Sequence, residues 1–522
     1  MFRFSEFTAE TRVGPSHPDG SKSALAIRSS FARPLYWRIG LLLLVAAAFL
    51  IRSRDFGNPL IDSDEQFYLL AGDRLLHGTL PYVDLWDRKP VGLFLLYAAI
   101  RLLGGDGIIQ YQLVAAGFVA ATAVMIATIA RRIAPPGAAL VAGFLYIPAL
   151  AMCGGEGGQA PIYFNLLVAI AAWLVIVAIG GTAVMIRQRG IGAMLLLGVA
   201  MQIKYSVLAE GVYFGLVLSW LSWRADPRWP RLLADMTLWC GLALLPTLAA
   251  LGWYAAIGQS DAFLYANFVS IFQRGGYDEA AFALYKAAIH LLPLLVPVIL
   301  SEGPLRRFGG AWRRLPQGVA AHRFIAGWAV VAVLSFLGFG GYFDHYALPL
   351  FVPLAILAAP MFAIRRFWSG ALLGTASAFS MLVHYRADAD VREDYRGDAR
   401  SAAAITRLID AYRGTGCIYV FDTDPIYYHL TGSCLPTRWT FPYHLSLTRE
   451  APALGVDPAR EIRRILDSRP PVIVDKETQD RQINPAMQAI VEQRLARDYR
   501  LVGRFPREVE TDRVWALRTS PR

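Results

Sequence analysis

Charged side chains make up only 17% of this 522-residue chain, and it holds just four cysteines. So few cysteines exclude a disulfide-stapled scaffold, and no Cys/His spacing of the zinc type occurs. A P-loop and a dinucleotide-binding glycine fingerprint are missing as well, so there is no nucleotide apparatus. Internal repeats and long low-complexity tracts are also absent. What fills the chain instead is apolar: 55% hydrophobic residues and a mean hydropathy of +0.40. That much apolar surface does not fit inside one soluble core. Runs near twenty residues with few charges satisfy their own backbone as helices crossing lipid. The expected fold class is a polytopic α-helical membrane protein.

The net charge of +11 raises the question of nucleic acid, and its distribution answers it. From Arg386 onward there are 22 Lys plus Arg against 20 Asp plus Glu, so the tail is nearly neutral. The excess lies in short loops between apolar runs, where basic residues fix topology rather than bind nucleic acid. Candidate spans fall at roughly 35–51, 108–130, 137–153, 161–180, 191–205, 207–222, 235–257, 283–300, 324–341, 346–363 and 368–384. The apolar segment KPVGLFLLYAAIRLL at 89–103 is short and carries Arg101. If it does not span, one side collects Arg28, Arg33, Arg38, Arg131, Arg132, Arg187, Arg189, Arg224, Arg228 and Arg231. That side also takes Arg306, Arg307, Arg313, Arg314, Arg323, Arg365 and Arg366. Only Arg52 and Arg54 break the pattern. If 89–103 did span, every later loop would change sides. Eleven spans follow, in a cytoplasmic membrane, with a cytoplasmic N-terminus and a periplasmic C-terminus. The expected layout is a disordered cytoplasmic segment 1–34, a membrane domain 35–385 with its first external loop at 53–107, and a soluble domain 386–522. The apolar run after the polar start reads as an anchor, being too long for a cleaved signal.

In the tail, a helix pattern at 400–412, the run CIYVF, the helix pattern DPAREIRRIL, the run PPVIV, a helix at 485–496 and the runs YRLVGRF and RVWAL predict a small α/β domain. Cys153 and Cys240 fall in spans as packing residues. Cys417 and Cys434 open successive strand candidates, which lie side by side in a parallel sheet. A disulfide there suits an oxidising compartment, with two free thiols as the alternative.

The stretch DSDEQFYLLAGDRLLHG, continued to Lys89, concentrates six carboxylates (Asp62, Asp64, Glu65, Asp73, Asp84, Asp87) against Arg74, Arg88 and Lys89. Solvated loop charge would explain the sign. It does not explain the interleaved Phe67, Tyr68, Leu69, Leu70, Leu75, Leu76, Leu80, Tyr82 and Trp86. The spacing predicts an amphipathic helix on the membrane face, holding its carboxylates at the water–lipid boundary. Were a lipid-linked phosphosugar the donor, a carboxylate would take the proton of the attacking hydroxyl and a cation would hold the departing phosphate.

Asp64-Glu65-x-x-Tyr68, the short helix ending in HG, Pro81-Tyr82 and Lys89-Pro90 resemble the first external loop of GT-C glycosyltransferases. The bacterial branch with lipid A aminoarabinose transferase and the protein O-mannosyltransferases, of the glycosyltransferase family 39 type, is the nearest in pattern. GVAMQIKYS at 198–206, WYAAIGQSDAFLYANF at 253–268 and DHYALPLFVPLAIL at 344–357 extend the resemblance in the same order. It implies a polyprenyl-phosphate sugar donor, inverting transfer on the outer face, Asp64 as base with Glu65 beside it, Lys89 on the donor phosphate, and a non-spanning helix after Lys89. Two departures qualify it. Where relatives often carry a second acidic residue before the fourth span, this chain reads GGEGGQAPIYFN, with Ala160 beside Pro161. Glu156 or Gln159 would have to substitute, so Mg²⁺ or Mn²⁺ is admitted without being required. Phe67 stands where the aminoarabinose branch tends to have arginine.

Arg274, in FQRGGY, is a further candidate for the phosphate. Tyr68, Tyr82, Glu156, Lys204, His345 and Tyr346 are candidates for substrate contact; Lys204 is alternatively an ion-pair partner of Glu210. Asp422 and Asp424 read as helix N-caps at DPIYY. The acceptor is a lipid, a glycan or a protein, and membrane lipids are the remaining partners. The rival readings are a lipid-linked glycan transporter or flippase, and a non-catalytic polysaccharide-assembly protein. A transporter would place its ionisable groups near the bilayer midplane, whereas here polar chemistry gathers on one face.

Overall fold

A computed structural model describes residues 34–276, 280–303, 316–338, 341–363, 369–477, 482–507 and 510–518. The polar segment before Pro34 lies outside these residues, as do Arg306, Arg307, Arg313, Arg314, Arg365 and Arg366. Nine helices among the described residues are long and apolar enough to cross a membrane: Leu35–Asp55, Ile108–Ala130, Ala160–Ala178, Ala183–Met201, Tyr205–Ala225, Trp229–Ala256, Ala280–Glu302, Gln317–Gly338 and Asp344–Phe362. Pro136–Ala151 is shorter and almost wholly enclosed by its neighbours. The last, Ser369–Arg396, begins apolar and ends charged. Near its start Gly374 packs on Val141 and Phe362, and further along the Tyr385 hydroxyl donates to Ile51 O and Asp55 Oδ2 at 2.9 and 2.8 Å. It therefore runs the length of the bundle. With these two, about eleven helices among the described residues run along the bundle, against nine that pass on length and apolarity alone.

The helix Val91–Arg101 has 11 residues, or about 16 Å, half the thickness of a hydrocarbon core. It lies across the helix Ser63–Leu76, where Gly72 allows the two backbones to meet at Tyr97 and Ala98. At the far end of the bundle Arg131 stacks on Trp37 at 4.4 Å and Arg132 on Trp173 at 4.6 Å. Arg52, one of the two exceptions to the charge pattern, is a buried clamp at the opposite end. Its guanidinium donates to Gly155 O at 2.7 Å and to Gly157 O at 2.6 Å.

The tail folds around a four-stranded mixed sheet: β1 (Tyr419–Val420), β2 (Val472–Glu477), β3 (Tyr499–Pro506) and β4 (Thr511–Leu517), in the order β1-β2-β4-β3. β1 pairs parallel to β2, and β4 pairs antiparallel to both β2 and β3. The helices Ala399–Arg413 and Pro485–Asp498 pack on it, and Pro458–Asp467 packs on Pro485–Asp498. Asp457 and Asn484 cap the last two by accepting from Ala459 N and Ala486 N. Cys417 and Cys434 are bonded, with Cα atoms 4.8 Å apart. The expected reason was different, because Cys434 lies in the turn after the helix Ile426–Leu430 and not at a strand start.

The tail sits on the acidic loop. Gln66 Nε2 donates to Asp424 Oδ1 at 2.8 Å, Arg74 to Ser433 O at 2.5 Å, and Trp86 N to Arg438 O at 2.8 Å. Asp424 thus uses its carboxylate to receive Gln66; the N-cap of Ile426–Leu430 is Pro425. The helix Ser63–Leu76 is therefore not laid bare on a lipid face. Residues Phe67 to Ala71 are all buried, and the Phe67 ring packs against Phe94 and the tail's Phe441.

Candidate active site

Asp62 opens the helix Ser63–Leu76 by accepting from the Asp64 N–H at 2.9 Å, a cap that sets Asp64 on the first turn. Its other anchor is Gln159, whose Nε2 reaches Asp62 Oδ1 at 2.8 Å. Asp64 then faces a cavity of about 650 Å³ at the tail end of the bundle. Lys89 enters from the opposite strand of the loop, Nζ 3.4 Å from Asp64 Oδ1 and 4.0 Å from Asp87 Oδ1. Its carbonyl accepts from the buried Tyr82 hydroxyl at 2.8 Å, and its ammonium lies 5.0 Å from the Tyr68 ring centroid. Tyr82 holds a left-handed backbone (φ 69°), a strained conformation for an aromatic residue that the ring's packing on Tyr254 and Phe263 sustains. His345 Nε2 approaches Asp64 Oδ2 at 3.7 Å, and Lys204 stands over the Tyr346 ring at 4.0 Å.

Burial alone would raise the Asp64 pKa, but Lys89, then His345 and Lys204, overcome it and hold it at about 2. The Tyr68 hydroxyl also lies beside this carboxylate, though without a well-formed hydrogen bond. Burial likewise opposes the charge on Lys89, and Asp64 and Asp87 reverse the balance, pushing its pKa up. Lys204 goes the other way: burial and the neighbouring Lys89 bring it down to about 7, with Asp64 only a partial offset.

Glu65 differs from its neighbour in every respect. It turns away from the cavity, fully buried, and accepts from the Gly158 N–H and from the Tyr111 hydroxyl. Burial, with Asp62 adding to it, pushes its pKa up to about 8. A Cβ at Gly157 would overlap this carboxyl, and one at Gly158 would overlap Tyr97, Tyr111 and Tyr163.

Of the other candidates, Arg274, Glu156, Lys204, His345 and Tyr346 all line the cavity with Asp64 and Lys89. Glu210 lines it too but makes no ion pair with Lys204, which faces Tyr346 instead. Tyr68, Tyr82 and Gln159 stand behind the wall. What sequence reasoning missed is the share of the tail and of Arg88. Phe441, Tyr443, His444, Arg449 and Glu450 close the cavity, although the tail sequence offers no motif to mark them. Glu450, buried, binds Arg88 Nη1 at 2.6 Å and Arg274 Nη2, with Arg449 Nε at 3.6 Å. Burial would raise its pKa; Arg88 first and Arg274 next hold it at about 2. Arg88 Nη2 and Arg274 Nε remain buried without a hydrogen bond. Burial brings His444 down to about 4, so it faces Asp87 (3.7 Å) as a neutral ring.

Among the described residues no three His, Cys, Asp or Glu side chains converge as metal ligands. Within 4 Å Asp64 meets the nitrogens of Lys89 and His345, an arrangement that leaves cationic donors facing the cavity.

No family model matches the chain. Undecaprenyl phosphate-alpha-4-amino-4-deoxy-L-arabinose arabinosyl transferase of Edwardsiella ictaluri (strain 93-146) is 31% identical over 286 residues, 52% of this chain and 49% of that protein. The match thus spans about half the length of the curated relative. Among solved structures, ArnT from Cupriavidus metallidurans bound to undecaprenyl phosphate superposes with a TM-score of 0.60 at 15% identity, over 91% of this chain and 97% of that one. The Archaeoglobus fulgidus oligosaccharyltransferase tethered to an acceptor peptide gives 0.52 at 11% identity, over 94% and 75%. These likenesses show the architecture, a GT-C fold.

Proposed function

We propose that this protein is an integral membrane glycosyltransferase that moves a sugar from a polyprenyl-phosphate donor to an acceptor hydroxyl with inversion. The observation that carries the reading is a carboxylate, Asp64, held ionised by Lys89 inside a cavity that also holds Arg88, Arg274 and Lys204. The partial match to an arabinosyl transferase named for undecaprenyl phosphate, and the fold shared with a transferase bound to that lipid, support it.

Asp64 accepts the proton of the acceptor hydroxyl as the oxygen attacks the anomeric carbon from the face opposite the phosphate. The bond from that carbon to the phosphate oxygen breaks, and the phosphate leaves with the electron pair. Lys89 and Arg274 neutralise it. A carboxylate paired as tightly as Asp64 is a weak base. When Lys89 turns to the donor phosphate, Asp64 loses the neighbour that depresses its pKa most, so donor binding itself makes the base. Glu65 acts from behind, as a neutral carboxyl that fixes the 155–158 turn.

The cavity end of the bundle faces the periplasm and the N-terminus the cytoplasm. The arginines gathered at the far end and the disulfide beside the cavity end support that orientation. The acceptor is a lipid, a glycan or a protein.

The test is transfer from radiolabelled polyprenyl-phosphate sugars by purified wild type and Asp64→Asn. Asparagine keeps the shape and removes the basic oxygen, so kcat should fall by about 10²–10⁴-fold. Equal transfer by the variant would end the role of Asp64. A wild type that transfers from no donor would end the transferase reading.

A further inference from the structure

A second cavity, of about 840 Å³, lies at the end of the bundle away from the candidate active site. The helix Ala183–Met201 separates the two: Val184 and Arg187 border this groove, while Lys204 lines the other cavity, about 28 Å along the axis. Arg228 and Arg231 complete its polar wall. Arg228 Nε bonds Asp226 Oδ1 at 2.7 Å, Arg231 Nη1 bonds Asp226 Oδ2 at 3.2 Å, and Arg187 Nε stands 3.4 Å from Asp235 Oδ1. Three guanidiniums thus share two carboxylates. The terminal nitrogens of Arg187 make no hydrogen bond within the described residues, and its side chain is 44% exposed.

The rest of the rim is apolar and open. Val184 and Trp229 are 59% and 64% exposed, Leu233 one turn beyond Trp229 is 57% exposed, and Trp229 packs at a tilt on Trp223 with centroids 4.8 Å apart. The wall behind is fixed: Gly190 abuts the Trp239 indole, whose N–H donates to Arg187 O at 3.3 Å. Excess guanidinium charge at the end of membrane helices, beside an outward-facing indole and aliphatic side chains, matches one class of ligand in both its parts. It carries a phosphate and an acyl chain. A soluble phosphate would use the arginines alone and make no contact with Val184 and Trp229.

We propose that the groove between Arg187, Arg228, Arg231 and Trp229 binds the headgroup of an anionic phospholipid, its chains running down the exposed face of Trp229–Ala256. This site stands apart from the transfer reaction and does not depend on it. The test is native mass spectrometry of the detergent-purified full chain, titrated with dioleoyl phosphatidylglycerol or dioleoyl phosphatidylcholine. Wild type should retain phosphatidylglycerol in preference, and added NaCl should weaken the binding. R187Q/R228Q should bind it about thirtyfold more weakly, while R187K/R228K stays within a few-fold of wild type. In the neutral variant the buried Asp235 keeps the Ser222 hydroxyl at 2.7 Å on Oδ2, and the half-buried Asp226 keeps Arg231. Equal retention of the two lipids, or undiminished affinity in R187Q/R228Q, would overturn the proposal. So would displacement by millimolar inorganic phosphate, which would assign the groove to a soluble anion. Should R187Q/R228Q fail to fold, salt-independent binding by wild type would overturn it as well.

Discussion

Asp64 and Glu65 are adjacent in sequence and opposite in chemistry. One turn of helix sends Asp64 toward Lys89 and a cavity, and Glu65 into a packed core beneath the 155–158 turn. A sequence cannot separate such neighbours, because which side of a short helix is covered depends on what lands on it. Asp64, Lys89, Lys204, Arg274, His345 and Tyr346 were each legible as polar residues at the same ends of apolar runs. Their burial behind other side chains was not. A pH prediction follows for Glu65. Its folded pKa, about 8, lies above the ordinary value of 4.5, so between these limits the folded protein holds more protons than the unfolded one. Stability therefore falls as pH rises from 4.5 to 8, and the full penalty is present above 8. Thermal melts of Glu65→Gln, which cannot ionise, should lack that share of the decline. The wild-type Tm should drop relative to the variant between pH 6 and 9. A difference that stays constant across this range would show that Glu65 is ionised throughout.

At the scale of the element, the loop helix and the glycine-rich turn are two halves of one fit. The pattern DSDEQFYLLAGDRLLHG specified the helix correctly, since its apolar spacing is local information. It also suggested a helix resting on lipid. The apolar side is instead covered by Val91–Arg101 and by the tail, which no periodicity could announce. GGEGGQAP looked like a departure from a paired acidic site. In the structure three of its glycines, 155, 157 and 158, exist for closeness: Gly157 touches the Glu65 carboxyl where any Cβ would collide with it. Gly157→Ala must push the turn off Glu65 and off the Arg52 clamp. The expected cost is about 1–3 kcal/mol, measurable as a lowered Tm in detergent. The same change should reduce donor turnover, because Gln159, two residues on, anchors the Asp62 cap that orients Asp64. A variant as stable and as active as wild type would show that the turn has room to spare.

At the scale of the whole molecule, the membrane bundle and the tail are joined through a single carboxylate of the tail. Glu450 ties Arg88 of the first loop to Arg274 of another, and its low pKa links that junction to acid. The stability it contributes is complete above about 4.5 and is lost as pH falls toward 2. The protection factor of the Gly275 amide, whose N–H donates to Arg449 O at 2.9 Å, should therefore fall over that interval once the intrinsic exchange rate at each pH is divided out. Glu450→Gln should exchange quickly already at pH 7, with a loss of about 3 kcal/mol where the tail meets the bundle. Protection unchanged in the variant would place the junction's strength in the apolar contacts of Phe441.

A ribosome delivers the first loop with its aspartate and lysine some 360 residues before Glu450, and every membrane helix before β1. The cavity has no far wall until the last quarter of the chain has been made and folded. A half-synthesised copy in the membrane therefore has the aspartate and the lysine but no enclosed chamber. Completion of translation becomes the step that closes the cavity.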